Sequence, residues 1–315
     1  MADTVDELKA LVTRHARGPR TETTICGVSL MQSRTTTEPT AGMTELTMCL
    51  VLQGEKDISC GVNALVYGEG HYFVATIEIP VVGRISRASR REPFLGIGFN
   101  FDQAALAELI AEMPESGDPD LMCGLGISPT QPELADAFLR LIRLLDRPDE
   151  IPVLAPMLKR EILFRLLQGP QGAKLRQIAY AGSRQSNLRR ALGWMRENYT
   201  EPFKVEDLAR MAGMSVSVFH RQFKVATSLT PIQYQKSFRL HEARRLLLEK
   251  AGDAAGVAFA VGYESVSQFS REYARMFGAP PVRDVARLKT TQTSSYTDRR
   301  KAALVETSPA TREGS

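Results

Sequence analysis

The chain of 315 residues is poor in the side chains on which catalysis and metal binding most depend: it has four cysteines, four histidines and one tryptophan. Cys26, Cys49, Cys60 and Cys123 form no C-x-x-C pair and no regular framework, which excludes a disulfide-stapled secreted scaffold. Reduced thiols partly buried in strands account for them; the alternative is a redox- or aldehyde-sensing cysteine. No apolar run approaches the ~20 residues that cross a bilayer. The acidic segment from Met1 to Lys9 has no secretory hydrophobic region, so a cytoplasmic address with no membrane partner is expected. There is no phosphate-binding loop, no nucleophile elbow and no H-E-x-x-H, which removes the motif-bearing routes to enzyme function.

The length fits about two domains, and 43% hydrophobic with 24% charged residues is an ordinary globular balance. The net charge of +4 hides an asymmetry. Residues 1–183 carry 18 basic and 23 acidic side chains, a net of −5. Residues 184–289 carry 18 and 10, a net of +8, and the remaining tail carries 4 and 3. A basic excess confined to one region suits a polyanionic partner.

After an extension (1–22), the segment from Ile25 to Phe101 reads as short strands: ICGVSL, LTMCLVLQG, NALVYGEG, HYFVATIEI and FLGIGFNF. Glycines and charges punctuate them at strand-plus-turn spacing, which predicts a sandwich or small barrel. Asp102 is placed to cap a helix reaching about Met113, and Met113 to Pro132 reads as a loop. Two helices follow, from Pro132 to Leu145 (Leu134, Phe138, Leu141 and Leu145 at helical spacing) and from Val153 to Leu167. This leucine-rich hairpin either covers the sheet or meets a second copy of itself. A hinge with a short helical piece spans 169–186, and everything from 187 to 289 reads as helical. The tail 290–315 is rich in Thr, Ser and Arg without periodicity and is expected to be disordered.

Within the helical region two stretches match at a constant offset of 50 residues. Ser215 aligns with Ser265, Val216 with Val266, Ser217 with Ser267 and Phe219 with Phe269. Arg221 aligns with Arg271, Phe223 with Tyr273 and Pro231 with Pro281. Each copy has the anatomy of a helix-turn-helix. A short helix carries a small residue at the crossing (Ala209, Ala258), and a glycine turns the chain (Gly213, Gly262). A serine then caps a second helix whose aromatics lie at i, i+4 on the buried side. In the second copy Gln268, three residues after Ser265, completes a capping-box pattern. A helix from about Pro231 to Lys250 joins the copies; about 19 residues give a rod of ~29 Å, close to the ~34 Å between successive major-groove faces.

With the aromatic faces buried, geometry fixes the opposite ones. Ser217, His220, Arg221 and Lys224 point outward in the first unit, and Ser267, Gln268, Arg271 and Arg275 in the second. Arginine forks onto guanine, glutamine pairs with adenine and serine adapts to either, whereas Lys224 and Arg275 suit phosphates. The bland alternative is a solvated helix surface.

The motifs VEDLARMAGMSVSVFHRQFK, TPIQYQKSFRLHEARRLL and VGYESVSQFSREYARMFGAPP resemble those of the AraC/XylS family of bacterial regulators. LVLQGEK (Leu50–Lys56) and YGEGHYFVATIEIPVVG (Tyr67–Gly83) resemble the cupin-like N-terminal domain of one branch of that family. The resemblance implies an α+β chain: a cupin-like β-sandwich with a helical hairpin (23–168), a linker (169–186) and an all-α DNA-binding domain with two helix-turn-helix units (187–289). It implies base or groove contacts by Ser217, His220 and Arg221, and by Ser267, Gln268 and Arg271. It further implies a sensory N-terminal domain that is often dimeric, and contact with RNA polymerase. One departure stands out: Ser228 occupies a position that is usually glycine, a role Gly278 keeps in the second unit.

The expected function is therefore a sequence-specific transcription factor acting on double-stranded DNA, non-enzymatic and without a cofactor, as a homodimer controlled by a small effector. Tyr67, His71 and Tyr72 are the candidate effector residues; ordinary strand packing is their alternative. The rival reading is a cupin-type metalloenzyme fused to a DNA-binding domain. It needs two or three histidines in the strand-rich half, which has only His15 and His71, so no metal site is expected. A DNA-repair alkyl-transfer reading needs a clustered four-cysteine zinc site, which this spacing does not offer.

Overall fold

A computed structural model describes residues 2–61, 63–113, 123–179, 184–249 and 253–288. Two compact units part between Phe238 and Arg239.

The first unit is built on two antiparallel sheets. One has six strands in the order β1 (Thr21–Glu22), β2 (Val28–Ser33), β9 (Phe94–Asn100), β4 (Thr47–Gln53), β7 (His71–Ala75) and β10 (Leu125–Pro129). The other has four, in the order β3 (Thr40–Met43), β8 (Pro80–Arg87), β5 (Glu55–Cys60) and β6 (Asn63–Gly68). Successive side chains of a strand point to opposite faces, and β4 uses both. Met48, Leu50 and Leu52 join a core with the helices, while Cys49 and Val51 join the core containing Ile58, Cys60 and Tyr67 of the smaller sheet. That double burial explains why LTMCLVLQG reads as a nearly continuous apolar run rather than an alternating one.

Residues 125–129, expected as loop, form the edge strand β10, paired from Leu125↔Ala75 to Pro129↔His71. Gly126 and Pro129 gave the segment its turn-like composition, but an edge strand tolerates both. The N-terminal extension contains α1 (Ala2–His15), which buries Leu8, Leu11 and Val12. It is clasped by Glu7 to Arg143 through two hydrogen bonds of 2.7 Å.

Asp102 caps α2 (Gln103–Ala111) as expected, accepting from the amides of Ala104 and Ala105. The hairpin is α3 (Pro132–Arg143) and α4 (Ile151–Gln168). It covers the larger sheet: Leu134, Phe138, Leu141 and Ile142 lie in the same core as Leu50 and Ile97. Pro152 does not precede α4 but sits in its first turn, where no amide donor is needed. Val153 and Met157 remain 68% and 65% exposed. Within the expected hinge lies α5 (Gly172–Ala179).

The helical region contains α6 (Arg184–Glu197), α7 (Val205–Met211), α8 (Val216–Thr227), α9 (Pro231–Glu249), α10 (Ala254–Ala260) and α11 (Val266–Phe277). A further helical stretch covers 281–288. The expected disordered tail 290–315 falls outside the described residues.

The first helix-turn-helix shares a compact unit with the sandwich. Phe219, Phe223 and Tyr234 lie in one apolar cluster with Ile58, Phe73 and Ile77. The Cys60 thiol donates to the Thr227 carbonyl (3.0 Å), and the Gly124 amide to that of Ala226 (3.0 Å).

Candidate nucleic-acid interface

In the first unit α7 buries Leu208 and Ala209 against its neighbours. The chain reverses at Gly213, whose φ of 66° is open to glycine without strain. The Met214 amide then returns to the Ala209 carbonyl (2.9 Å). Ser215 caps α8, its hydroxyl accepting from the Val218 amide (3.4 Å). Phe219 and Phe223 are fully buried with ring centroids 5.5 Å apart. The second unit repeats each step. Asp253 caps α10, Gly262 turns at φ 83°, and the Tyr263 amide returns to the Ala258 carbonyl (3.0 Å). Ser265 caps α11 through the Gln268 amide (3.3 Å), and Phe269 and Tyr273 are fully buried.

With the inner faces fixed, Ser217, His220, Arg221 and Lys224 are all exposed on α8. Their spacing of i, i+3, i+4 and i+7 puts them on one side. Ser267, Gln268, Arg271 and Arg275 are likewise exposed on α11. Neither Arg221 nor Arg271 is interred.

Gln268 departs from the expected capping box: its side chain does not reach back to Ser265 but donates to Glu272 Oε1 (3.2 Å). Glu272 Oε2 in turn accepts from the Tyr263 hydroxyl (2.8 Å). An ionised carboxylate only accepts, so it holds the amide nitrogen on its own side and leaves the Gln268 carbonyl and one N–H for another partner. Those are the two groups that pair with adenine N6 and N7. The i, i+4 spacing of Gln268 and Glu272 is a signal in the sequence that could have found this support.

Behind α11 lies an ionic cluster that no sequence period revealed. Asp284, fully buried, accepts from Arg244 Nε (2.8 Å) and Nη2 (3.0 Å), from the Tyr273 hydroxyl (3.0 Å) and from Arg287 (3.1 Å). Burial, then the Asp284 carboxylate, pushes the Tyr273 hydroxyl above its ordinary range. The Arg244 guanidinium also lies 4.4 Å from the centroid of the Phe277 ring. Burial, with the nearby Arg244 charge, pulls His241 down to about 4.

Ser228 ends α8 in the left-handed conformation with φ 61°, the one non-glycine residue with positive φ among those described. Its hydroxyl accepts from Asn63 Nδ2 (2.7 Å). A glycine there would have no such partner.

The three candidate effector residues are not brought together. Tyr67 is buried between the sheets, its ring stacked on Phe73 at 5.6 Å. Burial there raises its hydroxyl well above the usual phenol range. Tyr72 belongs to the core on the other face of the larger sheet, beneath the helices. His71 is exposed, its Nδ1 3.1 Å from the Glu69 carbonyl. Among the described residues no group of three or more His, Cys, Asp or Glu side chains is placed to hold a metal ion. No described helix is long and apolar enough to cross a membrane.

Comparison with known proteins agrees with this anatomy. Residues 24–174 match the family described as AraC-type transcriptional regulator N-terminus, and residues 208–286 match a helix-turn-helix domain family. The chain is 31% identical over 105 residues to the transcriptional activator RhaS of Pectobacterium carotovorum subsp. carotovorum, covering 33% of this chain and 38% of that protein. It is 30% identical over 151 residues to the virulence regulon transcriptional activator VirF of Yersinia enterocolitica, covering 48% and 55%. The chain thus spans about half, or less, of the length of these relatives. In fold it is similar to unsaturated fatty acid-bound ToxT from Vibrio cholerae, with a TM-score of 0.53 and 8% identity over 82% of this chain and 94% of that one. Both halves of the molecule, the sandwich with its helical hairpin and the twin helix-turn-helix units, place this chain in the AraC family of transcriptional regulators.

Proposed function

We propose that this chain regulates transcription by binding a specific double-stranded DNA sequence with α8 and α11. One observation carries the reading: two serine-capped helices bury their aromatic faces completely and turn eight DNA-competent side chains to solvent. In this reading Arg221, Arg271, Gln268 and the serines meet base edges, and Lys224 and Arg275 meet phosphates. In this reading both helix-turn-helix units engage one duplex, which bends to meet them.

The functional division proposed is an extension (1–22), a sensory and dimerising domain (23–168), a linker (169–186) and a DNA-binding domain (187–289). The outer strip of α4, with Val153, Leu154 and Met157 exposed, is the surface offered to a second copy. Effector control is supported by the closed sandwich and by the likeness in fold to ToxT, which has been solved with an unsaturated fatty acid bound. Contact with RNA polymerase and a cytoplasmic setting follow from the same reading.

The test is genome-wide footprinting of the purified chain, followed by titration of one protected site against salt. Protection of a recurring sequence is expected, and uniform binding to all DNA would overturn sequence specificity. Replacing Lys224 by alanine is expected to weaken binding to every sequence and to flatten the slope of log affinity against log salt by about one unit. An unaltered slope removes Lys224 from the phosphate contacts.

A further inference from the structure

We propose that Glu272 is a specificity-determining residue of the second helix-turn-helix: it locks the Gln268 amide in the one orientation that selects adenine and rejects guanine. This assignment rests on the DNA reading of α11 proposed above and deepens it.

Gln268 alone is an ambivalent reader. Rotation of its amide about the last side-chain bond exchanges oxygen and nitrogen. In one orientation the oxygen accepts from adenine N6 while an N–H donates to adenine N7. In the other the two N–H groups face the acceptors N7 and O6 of guanine. Glu272 removes the second choice. Its Oε1 accepts from Gln268 Nε2 (3.2 Å), one helical turn back along α11. A flipped amide would lose this charge-assisted bond and turn its oxygen against a carboxylate. With one N–H spent on Glu272, the amide oxygen beside the other would meet guanine O6, acceptor against acceptor. The discrimination lies in that clash as much as in the pairing with adenine.

Such a lock works only if Glu272 is itself held. Its Oε2 accepts from the Tyr263 hydroxyl (2.8 Å). Tyr263 is buried, with its ring edge-on to Phe269 at 5.3 Å. Burial, then the hydrogen bond to Glu272, raises this hydroxyl above the ordinary phenol range, so it stays a donor. Arg239 Nη1 donates to the Gly262 carbonyl (2.8 Å), which fixes the turn directly before Tyr263. Support therefore runs from α9 through the turn, Tyr263 and Glu272 to Gln268.

The internal repeat shows that the frame does not need these side chains. Val218 and Gln222 stand where an offset of 50 places Gln268 and Glu272. Met214 returns its amide to Ala209 as Tyr263 does to Ala258. Val218 has no amide group and Met214 no hydroxyl, yet the first unit has the same turn, cap and buried aromatics. The hydrogen-bonded trio is an addition of the second unit, on the helix face that carries Gln268.

The experiment is binding-site selection by the full chain from a randomised duplex pool. Affinities are then measured on duplexes that differ only by A·T or G·C at the position that Gln268→Ala identifies. The parent is expected to favour A·T there about tenfold. Glu272→Ala is expected to cut that ratio by about fivefold or more, and to leave the preference at the Arg271 position unchanged. Tyr263→Phe, which keeps the buried ring and removes the donor, is expected to cut it by about twofold or more. In the Gln268→Ala background, Glu272→Ala is expected to change nothing further. An intact ratio in Glu272→Ala would overturn the proposal. So would a further shift in the Gln268→Ala background, which would make Glu272 a direct base contact. A parent that selects a sequence at which Gln268→Ala alters no position refutes this lock alone, whereas a parent with no sequence preference refutes the DNA reading itself.

Discussion

The two helix-turn-helix units are built to one plan and supported in different ways. Both have a glycine turn, a serine cap, two buried aromatics at i, i+4 and a left-handed residue closing the second helix. The first leans on the sandwich: Thr227 and Ser228, at the end of α8, are bonded to Cys60 and Asn63, and Phe223 lies in the same apolar cluster as Phe73. The second is held from within its own unit, by Asp284 and the side chains that converge on it. Its exit is Gly278, with φ 79° and nothing near a built Cβ. The recurring frame carries the solvent-facing side chains of α8 and α11, and what differs is the source of rigidity. The first unit is therefore the one whose stability the sandwich can adjust, whereas the second stands on its own core.

The largest expected effect breaks the second core alone. Asp284→Ala leaves Arg244, itself 10% exposed along its side chain, as a buried cation without its carboxylate. Removing one partner of such a pair costs about 3–5 kcal/mol. Hydrogen exchange is expected to show lost protection of α11 amides with α8 amides unchanged. Equal loss in both helices would refute the separate support of the two units.

Acid is expected to act on the same unit. His241 has its proton affinity lowered to about 4 in the fold, against an ordinary 6.5. The unfolded chain therefore binds a proton that the folded chain refuses as pH falls from 6.5 towards 4. Stability is unaffected above 6.5 and declines through that window, by at most about 3 kcal/mol. Urea unfolding at pH 7 and pH 4.5 measures the loss, and His241→Phe is expected to shrink it. A loss of the same size in the variant would assign it to the carboxylates instead.

A smaller effect separates reading from support. Arg271→Ala leaves the buried face of α11 untouched and is expected to lose about 1–3 kcal/mol of discrimination at one base position. Arg221→Ala is expected to do so at a different position. Binding-site selection with each variant measures this, and an unchanged sequence preference in either removes that arginine from the base contacts.

What the sequence made legible follows from which interactions are periodic. Phe219, Phe223, Phe269 and Tyr273 declare themselves by helical spacing, and once they are buried the outward places of Arg221 and Arg271 follow. The caps at Ser215 and Ser265 and the turns at Gly213 and Gly262 are local chemistry and were equally plain. Strand β10 was not, because an edge strand may carry the glycine and proline that mark loops. Helix α1 was not, because its buried apolar face of Leu8, Leu11 and Val12 spans little more than one turn. The Asp284 cluster joins residues up to 40 apart along the chain, a distance at which no pattern in one sequence points from Arg244 to its partner. Tyr67, His71 and Tyr72 are not brought together because Tyr67 lies on β6 of the smaller sheet and faces the core between the sheets, while Tyr72 on β7 of the larger sheet points to the opposite core, beneath the helices, and its strand neighbour His71 is exposed.

The smallest expected effect concerns the residue that most sharply divides the two units. In the left-handed region a side chain costs about 1–2 kcal/mol relative to glycine, so Ser228→Gly relieves strain at the end of α8. The same change deletes the acceptor of Asn63, a partly exposed hydrogen bond of net value about 0.5–1 kcal/mol. The two nearly cancel, and the variant is expected to lie within about 1 kcal/mol of the parent. A double-mutant cycle with Asn63→Ala separates them: the pair is expected to couple by about 0.5 kcal/mol. Additive behaviour would mean that Ser228 contributes no tie to the sandwich. The reciprocal Gly278→Ser meets the strain with no described partner in reach, and is expected to destabilise the second unit by the full cost, measured as a lower urea midpoint. If Gly278→Ser were instead neutral, the left-handed exit would be free of strain in both units, and the asymmetry between Ser228 and Gly278 would carry no energetic meaning.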